Sequence, residues 1–276
     1  MNAFNDLQPD IDIALESALD RETAQDCPPL LSRALHHAVF PGGARIRPKL
    51  CLAVAAAHRC DQPSLALNAA CAIELLHCAS LVHDDLPCFD DAATRRGKPS
   101  VHVAYGTPIA VLVGDALIVA AFGALGHASP SVEALRRLPG LTSVLSRGTG
   151  AAGGICAGQA WESETTVDLS RYHRAKTGAL FVAATGAGAA ACGEDPAPWA
   201  ELGVCIGEAY QVADDIQDAV SSEEQLGKPV QQDTALDRPN AVAELGLQGA
   251  AQRLRELIEH GLDSMPVCPG RDQLQL

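Results

Sequence analysis

The stretch Leu81–Gly97, LVHDDLPCFDDAATRRG, decides how this chain folds around its charged groups. It follows an apolar, helix-like run, Asn68–Val82, and it contains a proline, Pro87. Because proline lacks a backbone donor and disfavours the α region for the residue before it, the helix should end or kink near Leu86. The chain beyond that point can then turn back toward the end of the helix.

The same stretch concentrates charge of both signs. Four aspartates are followed closely by two adjacent arginines: Asp84, Asp85, Asp90, Asp91, Arg95 and Arg96. A turn after the proline would return Asp90 toward Asp84. Hard oxygen ligands grouped in this way suit Mg²⁺, which binds through one or two carboxylates together with substrate phosphates. Paired arginines suit phosphate oxygens. Taken alone, the stretch also fits a solvated loop of mixed charge.

A second acidic cluster lies in Tyr210–Asp218, YQVADDIQD. Its helical spacing places Asp214 and Asp218 on one face, with Gln211 one turn earlier on the same face. Together with Asp215 these carboxylates repel each other on an otherwise apolar segment unless a cation holds them. Two such clusters predict the opposite walls of a Mg²⁺ site that holds a diphosphate.

These two motifs, DDx4D followed by RRG and then DDxxD, resemble the aspartate-rich motifs of the trans-type isoprenyl diphosphate synthases (polyprenyl synthetases). The resemblance runs from about Ala34 to Gly246 and is greatest to the bacterial geranylgeranyl diphosphate synthases of pigment pathways. It implies an all-α fold, with ten or more helices around a deep central cavity. One domain should span residues 1–276.

The composition agrees with a helical protein. Hydrophobic residues make up 47% of the 276-residue chain and aromatic residues only 4%. Alanine and leucine favour helices, whereas strands prefer β-branched and aromatic side chains. The formal net charge of −14 argues against a nucleic-acid partner. An anionic diphosphate would need Mg²⁺ and local cations to reverse the field at its site.

No targeting or membrane-spanning segment is predicted. The N-terminus, MNAFNDLQPDID, is polar and acidic, unlike a signal peptide. Ten cysteines occur without a CxxC pair or zinc-type spacing, which indicates a reducing cytoplasm. Thr107–Leu125 is apolar enough for a membrane span but contains Asp115, so a buried core helix is expected.

The resemblance implies head-to-tail prenyl transfer between isopentenyl diphosphate and an allylic prenyl diphosphate. Two or three Mg²⁺ ions per active site, for which Mn²⁺ can substitute, are expected on four aspartates: Asp84, Asp90, Asp214 and Asp218. The wider catalytic set that it implies adds five residues to these motifs: Asp85, Asp215, Gln211, Lys176 and Thr177. No Ser/His/Asp or Cys/His nucleophile is apparent in the sequence.

Three cations are expected to bind the allylic diphosphate. Tyr172–Leu180, YHRAKTGAL, resembles the family's H-x-x-K-T motif, in which Lys176 binds this group and Thr177 lines the cation site. Arg95 follows the first acidic motif, and Lys228 follows the second. The stretch Gln159–Glu162 resembles the family's GQxxD motif, with glutamate in place of aspartate.

The diphosphate of isopentenyl diphosphate is expected on a second set. Phe40–Pro48, FPGGARIRP, resembles the family's GGKRxRP motif, with Ala44 in place of lysine. That departure removes one expected ligand. Together with two residues of the first motif region, the set is Gly43, Arg45, Arg47, His77 and Arg96.

Product length should depend on residues just upstream of the first aspartates. Bacterial short-chain synthases of the family carry an aromatic residue five positions before the first aspartate, where this chain has Ala79 followed by Ser80. Both are small, so elongation past C15 is expected. The helix Asp115–Leu125, with Phe122 on it, is the expected floor, and geranylgeranyl diphosphate (C20) is the expected main product.

Alternative interpretations remain at this point. One is a farnesyl diphosphate synthase that stops at C15. A terpene cyclase disagrees with the three aspartates of the second motif and with the retained arginines. A non-catalytic subunit of a heteromeric synthase has only Ala44 and Asn240 in its support. The family resemblance also implies a homodimer.

Overall fold

The computed structural model describes residues 7–24, 26–40, 42–127, 131–166, 168–220 and 240–274. Almost all regular structure in this part of the chain is helical, so the expected all-α fold with ten or more helices is confirmed. The α-helices are α1 (Gln8–Glu22), α2 (Pro29–Val39), α3 (Ile46–Ala57), α4 (Pro63–Asp84), α5 (Val101–Tyr105), α6 (Thr107–Gly126), α7 (Val132–Thr149), α8 (Ile155–Trp161), α9 (Leu169–His173), α10 (Ala179–Ala191), α11 (Ala200–Val220), α12 (Ala241–Ser264) and α13 (Arg271–Leu274).

Helix α4 is the central element. Pro63 occupies its first turn, where a missing N–H costs nothing. Most of the helix is buried, and it packs against α1, α3, α6 and α10. It begins five residues before the predicted run and ends at Asp84, just before the Leu86-Pro87 pair, as the proline requires.

Helices α3 and α10 approach closely because α10 is built from alanine and glycine. A Cβ atom on Gly188 would lie 2.8 Å from Cβ of Val54 and closer still to the carbonyl oxygen of Cys51. Any larger residue would push the two helices apart. The Ala/Gly-rich sequence therefore sets the distance between these helices.

A small hairpin follows the first aspartate motif. Strand β1 (Thr94–Arg95) pairs antiparallel with β2 (Lys98–Pro99). Its two-residue loop has positive φ at both Arg96 (53°) and Gly97 (74°), which is the type I′ conformation that suits the twist of a hairpin. The adjacent arginines of the sequence motif are thus separated in structure, one on a strand and one in the turn.

The chain between α9 and α10 forms a π-helical turn, Arg174–Gly178. Such turns are rare and occur frequently at functional sites. This one carries Lys176 and Thr177. A regular helix through the same residues would direct the two side chains differently.

Helices α4 and α6 are long and apolar enough to cross a membrane, by length and composition alone. The core helices of soluble proteins pass the same test, and 72% of the apolar window of α4 is buried in this protein. The figure for α6 is 44%, so the buried core helix expected at Thr107–Leu125 is buried on one face only. On its other face Val111, Leu112 and Val119 are exposed.

Candidate active site

The first aspartate motif folds back on the end of α4. The amide of Asp90 donates to the carbonyl oxygen of Asp84 at 3.0 Å, and the amide of Asp91 donates to that of Leu86 at 3.1 Å. This is the turn that Pro87 predicts. It places the carboxylates of Asp84 and Asp90 side by side, together with that of Glu162.

The three carboxylates form a compact acidic cluster. One oxygen from each of Asp84, Asp90 and Glu162 lies within 4.8 Å of the others. Burial raises the pKa of Asp84, and the charges of Asp90 and Glu162 raise it further against the opposing charge of Lys176. Crowded carboxylates of this kind supply the hard oxygen ligands that Mg²⁺ prefers. The residues present therefore fit a bound Mg²⁺ ion.

Glu162, at the end of α8, was noted in the sequence as part of a GQxxD-like motif, but its place beside Asp84 and Asp90 was not predicted. Gln159 donates to its carboxylate at 2.9 Å, and the hydroxyl of Tyr172 donates at 2.7 Å. The i, i+3 pair of Gln159 and Glu162 was the available signal. The contact with Asp84 joins residues 78 positions apart, which no local pattern reveals.

Lys176 reaches this cluster from the π-helical turn. Its ammonium group donates to Glu162 and lies 3.4 Å from Oδ1 of Asp84. Without the family resemblance the sequence would suggest a surface lysine, yet the turn carries the side chain into the acidic cluster. Lys176 thus offsets part of the negative charge of the cluster.

Asp85 points away from the cluster and holds Arg95. The guanidinium donates to Oδ1 of Asp85 through both Nε (3.0 Å) and Nη2 (2.5 Å), and Nη2 lies 4.0 Å from Asp84. Burial raises the pKa of the Asp85 carboxyl, while Arg95 opposes the rise. Asp85 thus orients the arginine beside the cluster, in line with the supporting role expected for it.

Arg47 and His77 face each other across the interface of α3 and α4. Nη1 of Arg47 lies 3.4 Å from Nε2 of His77, and its guanidinium stacks over Phe181 (4.3 Å) and near Tyr210 (6.0 Å). Burial, together with the charges of Arg47 and Arg96, holds the pKa of His77 well below its usual range. A neutral His77 can therefore accept a hydrogen bond from Arg47.

Nε of Arg47 is buried and has no hydrogen-bond partner among the described residues. A buried N–H without a partner costs free energy, so an acceptor is expected there. The nearby charges of Arg96 and Asp214 also affect the pKa of Arg47. An anion that is bound between the two acidic motifs would supply the missing acceptor.

The Gly-Gly turn lies against the hairpin arginine. A Cβ atom on Gly43 would be 3.2 Å from Nη2 of Arg96, so glycine leaves the space that the guanidinium occupies. Ala44 is exposed beside it. Four of the five residues expected to bind isopentenyl diphosphate, namely Gly43, Arg47, His77 and Arg96, thus lie in one region.

Arg45 is the exception, and its placement argues against the expected ligand role. Its side chain is fully buried and donates to Glu74 at 2.6 Å, to Asp12 at 3.2 Å and to the carbonyl oxygen of Val39 at 2.9 Å. The motif spacing could not reveal Glu74 and Asp12, which hold the guanidinium inside the protein. Arg45 therefore fixes the turn that carries Arg47.

The second aspartate motif lies on α11, as predicted. Nε2 of Gln211 donates to Asp215 at 3.1 Å, and the hydroxyl of Thr177 lies 3.4 Å from Oε1 of Gln211. The buried Asp215 also accepts from the amide of Ala241 at 2.7 Å, which anchors the start of α12. Asp215 thus holds Gln211 and the start of α12 in position.

Asp214 and Asp218 occupy one face of α11. Among the described residues they do not belong to the close group of Asp84, Asp90 and Glu162. The expectation that the two motifs line opposite walls of a diphosphate site stays a prediction. Lys228, which was expected beside them, lies outside the described residues.

The chain-length residues lie between α4 and α6. Ala79 is buried and Ser80 is half-buried, with its hydroxyl bonded to the carbonyl oxygen of His77 at 2.8 Å. The ring of His83 occupies the space beside Gly114, which aligns the two helices at the end near Asp84. Phe122 is half-buried eight residues further along α6, or about 12 Å away along the helix.

Comparison with known proteins places this site in a family. The sequence model of polyprenyl synthetase matches residues 28–267. The chain is 54% identical over 264 residues to a geranylgeranyl diphosphate synthase of Cereibacter sphaeroides, covering 96% of this chain and 91% of that one. It is 38% identical over 261 residues to a farnesyl diphosphate synthase of Geobacillus stearothermophilus, covering 89% and 86%.

A solved structure agrees with these sequence matches. The geranyltransferase of Helicobacter pylori, complexed with magnesium and isoprenyl diphosphate, aligns with a TM-score of 0.78 and 30% identity, covering 99% of this chain and 95% of that one. Fold and site together define the class, a prenyltransferase built from helices. The chain belongs to the polyprenyl synthetase family. The family and the enzyme class expected from the aspartate motifs are thereby confirmed.

Replacing Arg45 separates its structural role from a ligand role. Arg45→Met leaves Glu74 buried without its partner, so the free energy of unfolding should fall by about 3–5 kcal/mol. Urea unfolding measures this change. Arg33→Met is the control, because Arg33 is exposed and its replacement should leave stability nearly unchanged. Unaltered stability together with a raised KM for isopentenyl diphosphate would instead make Arg45 a ligand.

Proposed function

We propose that this chain is a magnesium-dependent prenyltransferase that joins isopentenyl diphosphate to allylic prenyl diphosphates and releases mainly geranylgeranyl diphosphate. One observation carries the proposal. An acidic cluster built for cations lies near a buried arginine, Arg47, whose Nε lacks an acceptor among the described residues. A pair of diphosphates, one bound through metal ions and one bound by arginines, matches both features.

The acidic residues define where the metal ions would bind. Asp84 and Asp90 would hold Mg²⁺ on one wall, next to Glu162, and Asp214 and Asp218 would hold it on the other. Magnesium bound there would neutralise negative charge on the departing diphosphate. Two or three ions per site, and replacement by Mn²⁺, remain part of this proposal.

The allylic diphosphate would bind beside the first wall. Lys176 and Arg95 already lie at Asp84, so their positive charges are preorganised where the leaving group acquires negative charge. Lys228 is proposed to join them. Thr177 and Gln211 form a neutral polar pair on the opposite side, near the position of the allylic carbon cation.

Isopentenyl diphosphate would bind at Arg47, Arg96 and His77, next to the backbone of Gly43. The aromatic ring of Phe181 holds the Arg47 guanidinium flat, which fixes the direction of its free N–H. Because His77 is neutral, it leaves the positive charge of this subsite to the two arginines. The substrate's double bond would then face the allylic carbon.

The reaction balances without a protein nucleophile. The allylic C–O bond breaks, and its electron pair leaves with the diphosphate. The double bond of isopentenyl diphosphate attacks the allylic carbon, and the new carbon–carbon bond leaves a tertiary cation. A proton is then lost, and the departing diphosphate is the proposed base. The residues of the chain bind, orient and stabilise charge.

The alternatives differ in observable features. A non-catalytic subunit would not need the compact cluster of Asp84, Asp90 and Glu162 with Lys176 inside it. A C15 synthase would need a bulky residue near Ala79.

A cytoplasmic location stays a prediction.

Metal dependence tests the proposed reaction. Asp84→Asn removes a charged ligand, so kcat should fall roughly a thousandfold, and EDTA should abolish turnover. Asp91→Asn is the matched control, because Asp91 lies in the same turn but its side chain is exposed and pairs with His102. Product formation is measured with purified protein, Mg²⁺, isopentenyl diphosphate and allylic primers. Full activity in EDTA would refute the metal role.

Product length follows from the space beside α4. Burial of each further isoprene unit contributes about 4 kcal/mol of favourable free energy, at ~0.8 kcal/mol per carbon. Forcing the unit against a wall of the tunnel instead costs roughly 1–3 kcal/mol. The small side chain of Ala79 would leave room for such a unit near the site. Phe122, about 12 Å beyond the Gly114 contact along α6, is the residue proposed to close the tunnel.

Two substitutions test the tunnel. Ala79→Tyr should shorten the main product to C15, and Phe122→Ala should produce chains longer than C20. Val132→Ala is the control, because Val132 is exposed at the start of α7 and not on α4 or α6. Chromatography of the dephosphorylated products gives the answer. A wild-type product of C15 in excess isopentenyl diphosphate would mean that another residue closes the tunnel.

The exposed face of α6 supports the proposed homodimer. Val111, Leu112 and Val119 present apolar surface on a helix whose composition is that of a core element. A second copy of the same face would cover it by two-fold symmetry, because one patch then serves both subunits. Burial of an apolar helix face is typical of stable homodimers.

Sedimentation tests the dimer. The wild-type protein should sediment at twice its mass of 28.7 kDa. The double variant Leu112→Glu with Val119→Glu should sediment as a monomer, since two buried carboxylates without partners oppose association. Ile258→Glu, on the exposed surface of α12, should stay a dimer. A monomeric wild type would refute the interface.

A further inference from the structure

Two cysteines meet at the ends of α3 and α10, away from the active site. Cys60 follows the last turn of α3, and Cys192 follows the last residue of α10. Both side chains are partly exposed and reduced. The two helix ends thus bring together a pair of thiols that are far apart in the sequence.

The convergence is visible in their hydrogen bonds. The amide of Cys60 donates to the carbonyl oxygen of Ala55 at 3.1 Å, and Sγ of Cys192 lies 3.6 Å from the same oxygen. Sγ of Cys60 lies 3.6 Å from the carbonyl oxygen of Ala191, the residue before Cys192. Each thiol therefore contacts the backbone beside the other cysteine.

Hydrogen bonds to its sulfur favour a thiolate at Cys60. A hydrogen bond from Cys192 lowers the pKa of the Cys60 thiol to about 7, and Arg137 contributes to the lowering. Burial opposes it, as does the carboxylate of Asp61, which pairs with Arg137 at 2.6 Å. Cys51 is a further titratable neighbour, and burial raises its pKa.

Arg137 is held against this pair by the backbone. Its Nη1 donates to the carbonyl oxygen of Ala191 at 2.9 Å, and its side chain is 10% exposed. Its Nε is buried without a hydrogen-bond partner among the described residues. An anion forming at the adjacent thiol would interact with this guanidinium.

We propose that Cys60 and Cys192 form a redox-sensitive site that a peroxide converts to a reversible disulfide. The Cys60 thiolate attacks a peroxide oxygen, the O–O bond breaks, and Cys60 becomes a sulfenic acid while water or an alcohol leaves. The Cys192 thiol then attacks the Cys60 sulfur, the disulfide forms and water leaves. Two thiols are oxidised by two electrons, and the peroxide is reduced by two.

The other cysteines are less suited to this chemistry. Burial raises the pKa of Cys71 to about 12 and that of Cys78 to about 11, so these thiols stay protonated. Cys88 and Cys156 are exposed. Neither has a thiol partner in the contacts that the described residues make.

The proposed disulfide would join the two helices that present the substrate-binding residues. Arg47 lies on the first turn of α3, and Lys176 and Thr177 lie on the π-helical turn that leads into α10. Gly188 already holds these helices in close contact. A covalent bond at their far ends would fix that packing by closing a long loop of the chain.

Peptide mapping tests the proposal on the whole purified protein. After treatment with hydrogen peroxide and alkylation of the remaining thiols, a Cys60–Cys192 linked peptide is expected, and dithiothreitol should release it. The oxidised protein should melt roughly 5–10 °C higher than the reduced one. Oxidation at other cysteines with no Cys60–Cys192 link would overturn the proposal.

Variants separate the two steps. Cys192→Ser should stop the reaction at the sulfenic acid, which dimedone labels at Cys60. Cys60→Ser should yield neither label nor disulfide. Cys156→Ser, an exposed control, should leave the Cys60–Cys192 link unchanged. The assigned order would be overturned if dimedone labelled Cys192 in the Cys60→Ser variant as fast as it labels Cys60 in the Cys192→Ser variant.

The role of Arg137 is tested by the rate of alkylation of Cys60 at neutral pH. Arg137→Gln should slow it several-fold, because less thiolate is present. Arg136→Gln is the matched control, since Arg136 is exposed on the same helix and pairs with Glu133. Equal alkylation rates in the two variants would remove Arg137 from the site.

Discussion

The structure depends on a concentration of negative charge at the end of its central helix. Asp84, Asp90 and Glu162 lie within 4.8 Å of one another, and Lys176 is a cation that reaches two of them. Like charges at such distances are tolerated where a partner of opposite charge completes the arrangement. The elements around α4 hold these carboxylates in the place where the proposed metal ions and diphosphate would bind.

The positively charged part of the site is formed by Arg47 and Arg96. Arg47 is kept flat by Phe181, supplied with an acceptor by the neutral His77, and left with one N–H that no described residue accepts. The hairpin turn places Arg96 nearby at the cost of a left-handed backbone conformation. Preorganised donors of this kind stabilise an anion without having to move when it binds. A chain of net charge −14 thus retains a local positive pocket.

Local sequence signals predicted local structure well. Pro87 foretold the end of α4 and the return of Asp90, and the i, i+4 aspartates foretold the face of α11. Long-range contacts could not be predicted from local sequence. Glu162 lies beside Asp84 although 78 residues separate them, and Arg45 pairs with the buried Glu74 and not with a substrate, as its motif had suggested. No prediction covered α7, in which Pro139 and Gly140 interrupt the helical pattern and Ser131 caps the start.

The buried arginine has a consequence for where the folding unit begins. The family match starts at residue 28, after α1 has already ended. Yet Asp12 of α1 binds Arg45, two residues before Arg47, and Ile11, Leu15 and Leu19 are fully buried in the common core. A fragment that began at residue 28 would expose that core and would remove one hydrogen-bond acceptor of the Arg45 guanidinium. The family model and the folding unit therefore begin at different residues in this protein.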